Sequence, residues 1–297
     1  MFKSVSELIE RAEQDGLPIS EVMILKEMED TGRSRDEIIE QMSNNLDVME
    51  AAVTRGTTES VVSHSGLTGG DGVLIQQYLQ SGKALAGETL LNAVSMAVAT
   101  NEVNAAMGTI CATPTAGSAG VVPGVLFGIR EKLNPTREEM IRFLFTAGAF
   151  GYVIANNASI SGAAGGCQAE VGSATGMAAA ALVEMAGGTP AQSGEALAMA
   201  LKNTLGLICD PVAGLVEVPC IKRNAMGASL AIVSADMALA GVKSRIPCDE
   251  VIEAMHKVGQ QMPRAFKETA EGGLAATPTA QLLQEKIFFR SSSKKTR

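Results

Sequence analysis

Five cysteines lie at positions 111, 167, 209, 220 and 248 of a 297-residue chain. No two are spaced Cys-x-x-Cys, so neither a zinc ribbon nor a bacterial ferredoxin run is present. Scattered cysteines ordinarily serve as small buried hydrophobes. Three of these have settings that ask for more. Cys167 stands in Gly165–Gly166–Cys167–Gln168, where glycines let backbone approach a bulky object closely. Cys209 precedes Asp210–Pro211, and Cys220 follows Pro219, so both sit on restricted backbone. Thiolates on polar loops around a dry centre are what an iron–sulfur cluster needs, and three of them leave one iron open to a substrate. Cys248 also follows a proline, but Asp249 and Glu250 oppose a thiolate there, so it reads as an N-cap or structural thiol. Cys111 borders a further polar loop, and its role stays open.

Imidazole is suited to proton transfer near neutral pH. Of the two histidines, His64 in the loop SHSGLTGG is the candidate base, and His256 falls within an amphipathic helix. Lys222, two residues after Cys220, is a candidate to hold a substrate carboxylate or to tune a cluster. Ser63, Ser65, Thr113, Thr115, Ser118 and Asn157 are candidates to hold a small polar substrate, with Asp71 and Asn156 of similar standing. Hydroxyls and loop amides are suited to a carboxylate and an ammonium. The same residue types also do ordinary turn and capping work.

Helices must position these groups. Ser4–Glu7, Ser34–Glu37 and Thr136–Glu139 have the spacing of capping boxes. Ile38, Met42, Leu46, Met49 and Val53 recur on one helix face. Residues 1–60 read as three amphipathic helices, and further helices are expected at about 88–107, 120–132, 136–156, 174–186, 193–206, 224–241, from 249, and at 278–289. Between them run polar loops at 63–72, 111–120, 159–176 and 209–227. Leu215–Val218 is the best short strand candidate, and Gly187–Gly188–Thr189–Pro190 reads as a helix stop. The expected fold is all-α: a single helical domain whose glycine-rich polar loops converge on one site. Residues 1–60 form its acidic helical N-terminal segment, 61–289 its helical catalytic region, and 290–297 a disordered basic tail.

Composition narrows the function. Hydrophobic residues at 46% and charged residues at 19% exclude a disordered chain. Aromatics at 3%, with no Trp, argue against base stacking. Residues 1–60 hold 14 acids and 6 bases, which accounts for the whole net charge of −8. The remainder is neutral and offers no basic field, so no nucleic-acid partner is expected. Residues 104–129 and 143–169 carry no charge, but the prolines, glycines and asparagines inside them suit a buried centre, not a membrane. The N-terminus MFKSVSELIERAEQDG has no apolar signal region, so a cytoplasmic protein with free thiols is expected.

Three segments are then familiar together. CATPTAGSAGVVPGVL, SGAAGGCQAEVGSATGMAAAAL and CDPVAGLVEVPCIKRN resemble the iron–sulfur-dependent bacterial L-serine dehydratases, that is, L-serine ammonia-lyases. The resemblance covers about 60–270, and the combination of motifs is specific. It implies a 4Fe–4S cluster on Cys167, Cys209 and Cys220, with no pyridoxal phosphate. It implies L-serine as substrate, with the open iron acting as Lewis acid, and pyruvate and ammonia as products. Single-chain members carry a second domain that this length does not accommodate. The chain therefore looks like the α chain of the two-chain type, paired with a separate β chain as a heterodimer. Two other readings stand beside this one: a cysteine desulfidase using the same cluster on L-cysteine, and a non-catalytic cluster-binding scaffold. A pyridoxal-phosphate dehydratase is disfavoured, because no lysine has Ser-x-x-Asn-Lys surroundings.

Overall fold

The computed structural model describes residues 2–293, with side chains as far as 288. The acidic segment folds as α1 Val5–Asp15, α2 Ile19–Thr31 and α3 Arg35–Thr58. Next come α4 Asp71–Gln80, α5 Glu88–Ala105, α6 Val121–Gly128, α7 Arg130–Leu133, α8 Arg137–Asn157 and α9 Gly162–Gly165. The remainder is α10 Ser173–Met185, α11 Pro190–Lys202, α12 Cys220–Leu239, α13 Cys248–Gln261 and α14 Pro278–Ser293. Among the described residues there is no strand beyond two isolated bridges, Val62 with Gly69 and Cys209 with Lys267. The fold is all-α.

The N-terminal starts and stops obey local chemistry. Ser4 accepts the Glu7 amide, and Ser34 and Glu37 satisfy each other's backbone in a full capping box. Gly16 and Gly32 end α1 and α2 in the left-handed region, at φ 64° and 69°. The face predicted for α3 is the buried one: Ile38, Leu46, Met49 and Val53 are all in the core. Glu21 of α2 ties this segment to the body. It accepts from Arg35 at 2.6 and 2.8 Å and from Arg142 of α8 at 3.3 Å.

Arg35 first, and Arg142 after it, hold the Glu21 carboxyl below the usual carboxylate range. A carboxylate with a depressed folded pKa stabilises above its unfolded pKa, and the gain is lost as pH falls through the folded value. Glu21→Gln is therefore expected to cost about 1 kcal/mol at neutral pH, since the pair is partly solvated. That deficit should shrink below about pH 4. Thermal melts of both proteins across pH check this. A deficit that grows on acidification would contradict the pairing.

The centre of the molecule is α10, buried from Ser173 to Val183. It packs against α6, α8, α11 and α12. Alanine at 174 and at 178–181 keeps this helix thin, so its neighbours come close. A second close contact joins α5 to α6. A Cβ at Gly124 would lie 2.6 Å from the Ala97 Cβ, and one at Gly128 would lie 2.4 Å from the Ala93 Cα. Only hydrogen fits there. Of the uncharged stretches, 118–129 and most of 143–154 lie in the interior, whereas 104–117 and most of 155–164 are partly or fully exposed, Met107 at 79%; no helix among the described residues is long and apolar enough to cross a membrane.

Several boundaries differ from expectation. The loop at 63–72 ends at Gly70, because buried Glu102 of α5 accepts the Asp71 and Gly72 amides at 2.7 and 3.0 Å and caps α4 from a distance. The stop expected at Gly187–Gly188–Thr189–Pro190 is present, since α10 ends at Met185 and Gly187 follows in the left-handed region at φ 81°, but Thr189–Pro190 does a second job: it starts α11, with Pro190 in the first turn and a reciprocal box between Thr189 and Gln192. The helix expected at about 224 begins at Cys220. Leu215–Val218 is not a strand and comes just after the single turn Val212–Gly214. The tail expected at 290–297 begins within α14, and residues 294–297 lie outside the described residues.

Candidate functional site

Cys167, Cys209 and Cys220 arrive from three separate segments, and each is pinned by its own local structure. Cys167 stands immediately before a π-helical turn, Gln168–Gly172, which leads into α10. Gln168 fixes that turn: its amide donates to the Leu207 carbonyl at 3.0 Å, its Nε2 to the Met255 carbonyl at 2.9 Å, and its Oε1 accepts the Gly206 amide at 2.9 Å. Cys209 is held on both sides of its backbone, donating to the Phe266 carbonyl and accepting the Glu268 amide, each at 2.9 Å. Cys220 opens α12. Asn224, one turn on, donates to the Cys220 carbonyl at 2.9 Å and to the Gly117 carbonyl at 2.8 Å, and accepts the Gly120 amide at 3.0 Å. One asparagine thereby locks the 111–120 loop against the helix that carries Cys220.

The three thiols are buried, at 2, 3 and 7% exposure. Burial pushes Cys167 up to about 11, against the pull of the Arg223 guanidinium. It pushes Cys220 up to about 12, with Cys167 and Glu170 adding to the effect. Cys209 is raised too, first by burial and then by the charges of Cys167, Glu170 and Cys220. Cys209 feels the charges of Cys167 and Cys220, and Cys220 that of Cys167, which puts the three thiols in one dry neighbourhood. Left to themselves they stay protonated; a bound metal deprotonates such thiols outright. Among the described residues, no group of three or more His, Cys, Asp or Glu closes around a single ion. A multi-iron cluster is broader than one ion, so its ligands stand further apart. Three soft, buried sulfurs fit that kind of group better than a lone hard cation.

The remaining candidates divide. Thr115 is brought to this neighbourhood, where its hydroxyl donates to Glu170 Oε1 at 2.7 Å. Ser118 lies beside it and donates to the Thr113 carbonyl at 3.1 Å, which shapes the loop. Thr113 itself turns away and lines a separate cavity of about 460 Å³ with Cys111, Met42, Met49 and Met177. The Cys111 thiol donates to the Asn45 carbonyl at 3.4 Å. Ser63 and Ser65 serve their own loop, with hydroxyls 3.3 Å apart, and Ser63 accepts the Thr68 amide at 3.2 Å. His64 is exposed on that loop. Lys222 is exposed and paired with Asp71. Asn157 spends its amide on the Lys3 and Val153 carbonyls, at 2.7 and 2.8 Å, and Asn156 on the Tyr152 carbonyl at 2.8 Å. Cys248 starts α13, and burial raises its thiol well above the ordinary value.

Four charged residues that sequence reasoning passed over belong to the site or its frame. Glu170 sits in the π turn, 8% exposed, its Oε2 3.9 Å from the Cys209 sulfur. Burial raises this carboxyl, while donors from Thr115, Cys209 and the Gly162 amide oppose the rise. Arg223 donates to the Ile208 carbonyl at 2.8 Å, pairs with buried Asp210 at 2.8 Å, and reaches the Cys167 sulfur. Glu217 accepts the Thr68 hydroxyl at 2.8 Å and joins the His64 loop to the segment between Cys209 and Cys220. Glu102 holds the start of α4 through the Asp71 and Gly72 amides. One signal was visible for Glu170: it is the charge that ends the uncharged run 143–169, three residues after Cys167.

The chain is similar to known proteins over nearly its whole length. A family profile described as "Serine dehydratase alpha chain" matches residues 14–275. The chain is 71% identical over 288 residues to the "Probable L-serine dehydratase, alpha chain" of Bacillus subtilis, covering 97% of this chain and 96% of that one. It is 43% identical over 284 residues to the "L-serine dehydratase, alpha chain" of Peptoniphilus asaccharolyticus, covering 96% of this chain and 97% of that one. The "L-serine dehydratase" of Streptomyces coelicolor is 41% identical over 282 residues, covering 92% of this chain but 60% of that longer protein. The match spans all three candidate site cysteines, and the chain belongs to the serine dehydratase alpha chain family.

Proposed function

We propose that this chain is the cluster-bearing α chain of an L-serine dehydratase, releasing pyruvate and ammonia from L-serine. The observation that supports the reading is that three thiols from three segments are buried, each fixed by backbone hydrogen bonds, with Cys209 feeling the charges of the other two. Relatives named L-serine dehydratase supply the substrate. When bound, a 4Fe–4S cluster on Cys167, Cys209 and Cys220 offers one iron without a protein ligand as a Lewis acid for the departing hydroxyl. This chain's own residues do the rest. Arg223 places a positive charge against Cys167, which eases the burial of several thiolates together. Asn224 keeps the 111–120 loop, with Thr115, at a fixed distance from Cys220. Dry walls strengthen every charge interaction inside. After loss of the α-proton and the hydroxyl, the product aminoacrylate rearranges and hydrolyses in water. The names "alpha chain" and the longer relative from Streptomyces coelicolor support a separate partner chain for this one.

The test is anaerobic purification with the partner chain, then assays of pyruvate from L-serine and sulfide from L-cysteine. Pyruvate from L-serine is expected. Activity should fall in air and return with ferrous iron and a thiol reductant, and carbonyl reagents that trap pyridoxal phosphate should have little effect. Sulfide release with no serine turnover would instead make the protein a desulfidase. Cluster-loaded protein that turns over neither would make it a scaffold.

A further inference from the structure

The cavity of about 460 Å³ beside Cys111 lies between α3, α8 and the 110–114 segment, away from the three buried cysteines. Met49, Leu144 and Met177 in its lining are each at most 5% exposed, so the space is recessed into the core. Gly148 of α8 keeps it open, since a Cβ there would meet nothing within 4 Å. No charged side chain lines it. The charges that flank it on α3 are already paired: Glu50 with Arg130 of α7 and Asp47 with Arg137 of α8, each at 2.6 Å. These pairs also tie α3 to the helices across the gap.

A concave space of this size, walled by apolar side chains with few polar groups, has the character of a small-molecule site. Met42, Met49 and Met177 let the walls adapt to a guest's shape. An ion or a zwitterion would lose its hydration here and find no charge in return. A protein docking face would present apolar side chains at its rim, yet none of the large apolar residues lining this cavity is among the exposed hydrophobics. The cavity is also connected to the cysteines. Thr113 lines it, and Ser118 donates to the Thr113 carbonyl at 3.1 Å. The Ser118 and Thr115 hydroxyls are 3.2 Å apart, and Thr115 donates to Glu170 at 2.7 Å. We infer that this cavity binds a small neutral apolar molecule, and that its occupancy tunes the cysteine site through this chain of hydroxyls. The guest acts by as much as it prefers one setting of the 110–118 loop over another. The binding is independent of the proposed serine activity, and only the tuning rests on it.

The experiment uses the iron-loaded enzyme with its partner chain and the probe N-phenylnaphthylamine, a neutral apolar dye that brightens in dry surroundings. Wild type is compared with Gly148→Leu, whose side chain occupies the cavity. Saturable binding of a single dye per chain is expected for wild type, with affinity weaker by about 10-fold or more in Gly148→Leu. Gly148→Val, a smaller filling, decides the matter if the leucine variant fails to fold. Saturating dye should shift the KM of the wild-type enzyme for L-serine by about 5-fold or more and leave that of the filled variant unchanged. Dye that binds without saturation, or equally well to wild type and filled variants, would overturn the site. Saturable binding with an unmoved KM would overturn the tuning. Failure of the serine activity itself looks different: no L-serine would turn over with or without dye, and the dye titration, read without turnover, would still decide the site.

Discussion

Replacing Cys167, Cys209 or Cys220 by serine, one at a time, is expected to give colourless protein with turnover lowered by about 10²-fold or more. A metal ligand costs at least what its outer-shell partners cost, and serine's hydroxyl does not substitute for a soft thiolate. The other two cysteines provide the contrast. Cys248 begins α13, and Cys111 lines the cavity shared with Met42 and Met177. Cys248→Ser and Cys111→Ser should therefore keep both colour and activity. Iron content, visible absorption and pyruvate release, measured anaerobically on all five variants, settle the point. A colourless triple variant that still deaminates serine would sink the cluster assignment.

Gly162→Ala is expected to separate stability from activity. Gly162 opens α9 without a left-handed backbone, so alanine fits its conformation and gains helix propensity of up to about 1 kcal/mol. The added Cβ, however, would meet Glu170 Oε2 at 2.5 Å and the Cys209 sulfur at 3.1 Å. One or both must move. A displacement near 1 Å in such a site costs about 10²-fold in rate. The melting temperature should change little while kcat/KM for L-serine falls by that factor. Gly148→Ala is the control, since a Cβ there meets nothing within 4 Å. A Gly162→Ala enzyme as active as the control would mean that the placement of Glu170 and Cys209 against Gly162 does not matter to turnover.

Much of the architecture was legible because helices declare themselves locally. The steps from Ile38 to Val53 mark a face, and Ser34 with Glu37 marks a start, without reference to the rest of the molecule. Where a boundary depends on a distant residue, local patterns mislead. The start of α4 is set by Glu102, which lies 30 residues away, and no local pattern announces that. Thr189–Pro190 was ambiguous for a different reason: a proline can come after one helix or open the next, and the Gln192 that decides the case looks ordinary. The site shows the same division. The cysteines stood out through the glycine and proline beside them. Glu170 and Arg223 did not, because a charge in a helix is usually solvated, and only the folded chain shows that these two face inward. His64 and Lys222 drew attention by residue type, yet they lie exposed, Lys222 on α12 and His64 on a loop that reaches the cysteine segment through Thr68 and Glu217.

The π turn at Gln168–Gly172 constrains how this chain can change over generations. Such a turn amounts to one residue inserted into a regular helix, and proteins keep these insertions mostly at functional positions. Losing a residue here would restore unbroken α-helical pairing into α10 and would make the backbone more regular. It would also rotate the segment before the deletion by about 100° relative to the segment after it. Cys167 would then be turned by that angle relative to α10 and the helices packed on it. Selection for stability alone favours the deletion, and selection for chemistry forbids it. Length changes between Cys167 and Ser173 should accordingly be far rarer among active descendants of this chain than changes at its outer loops, such as Ser81–Gly87.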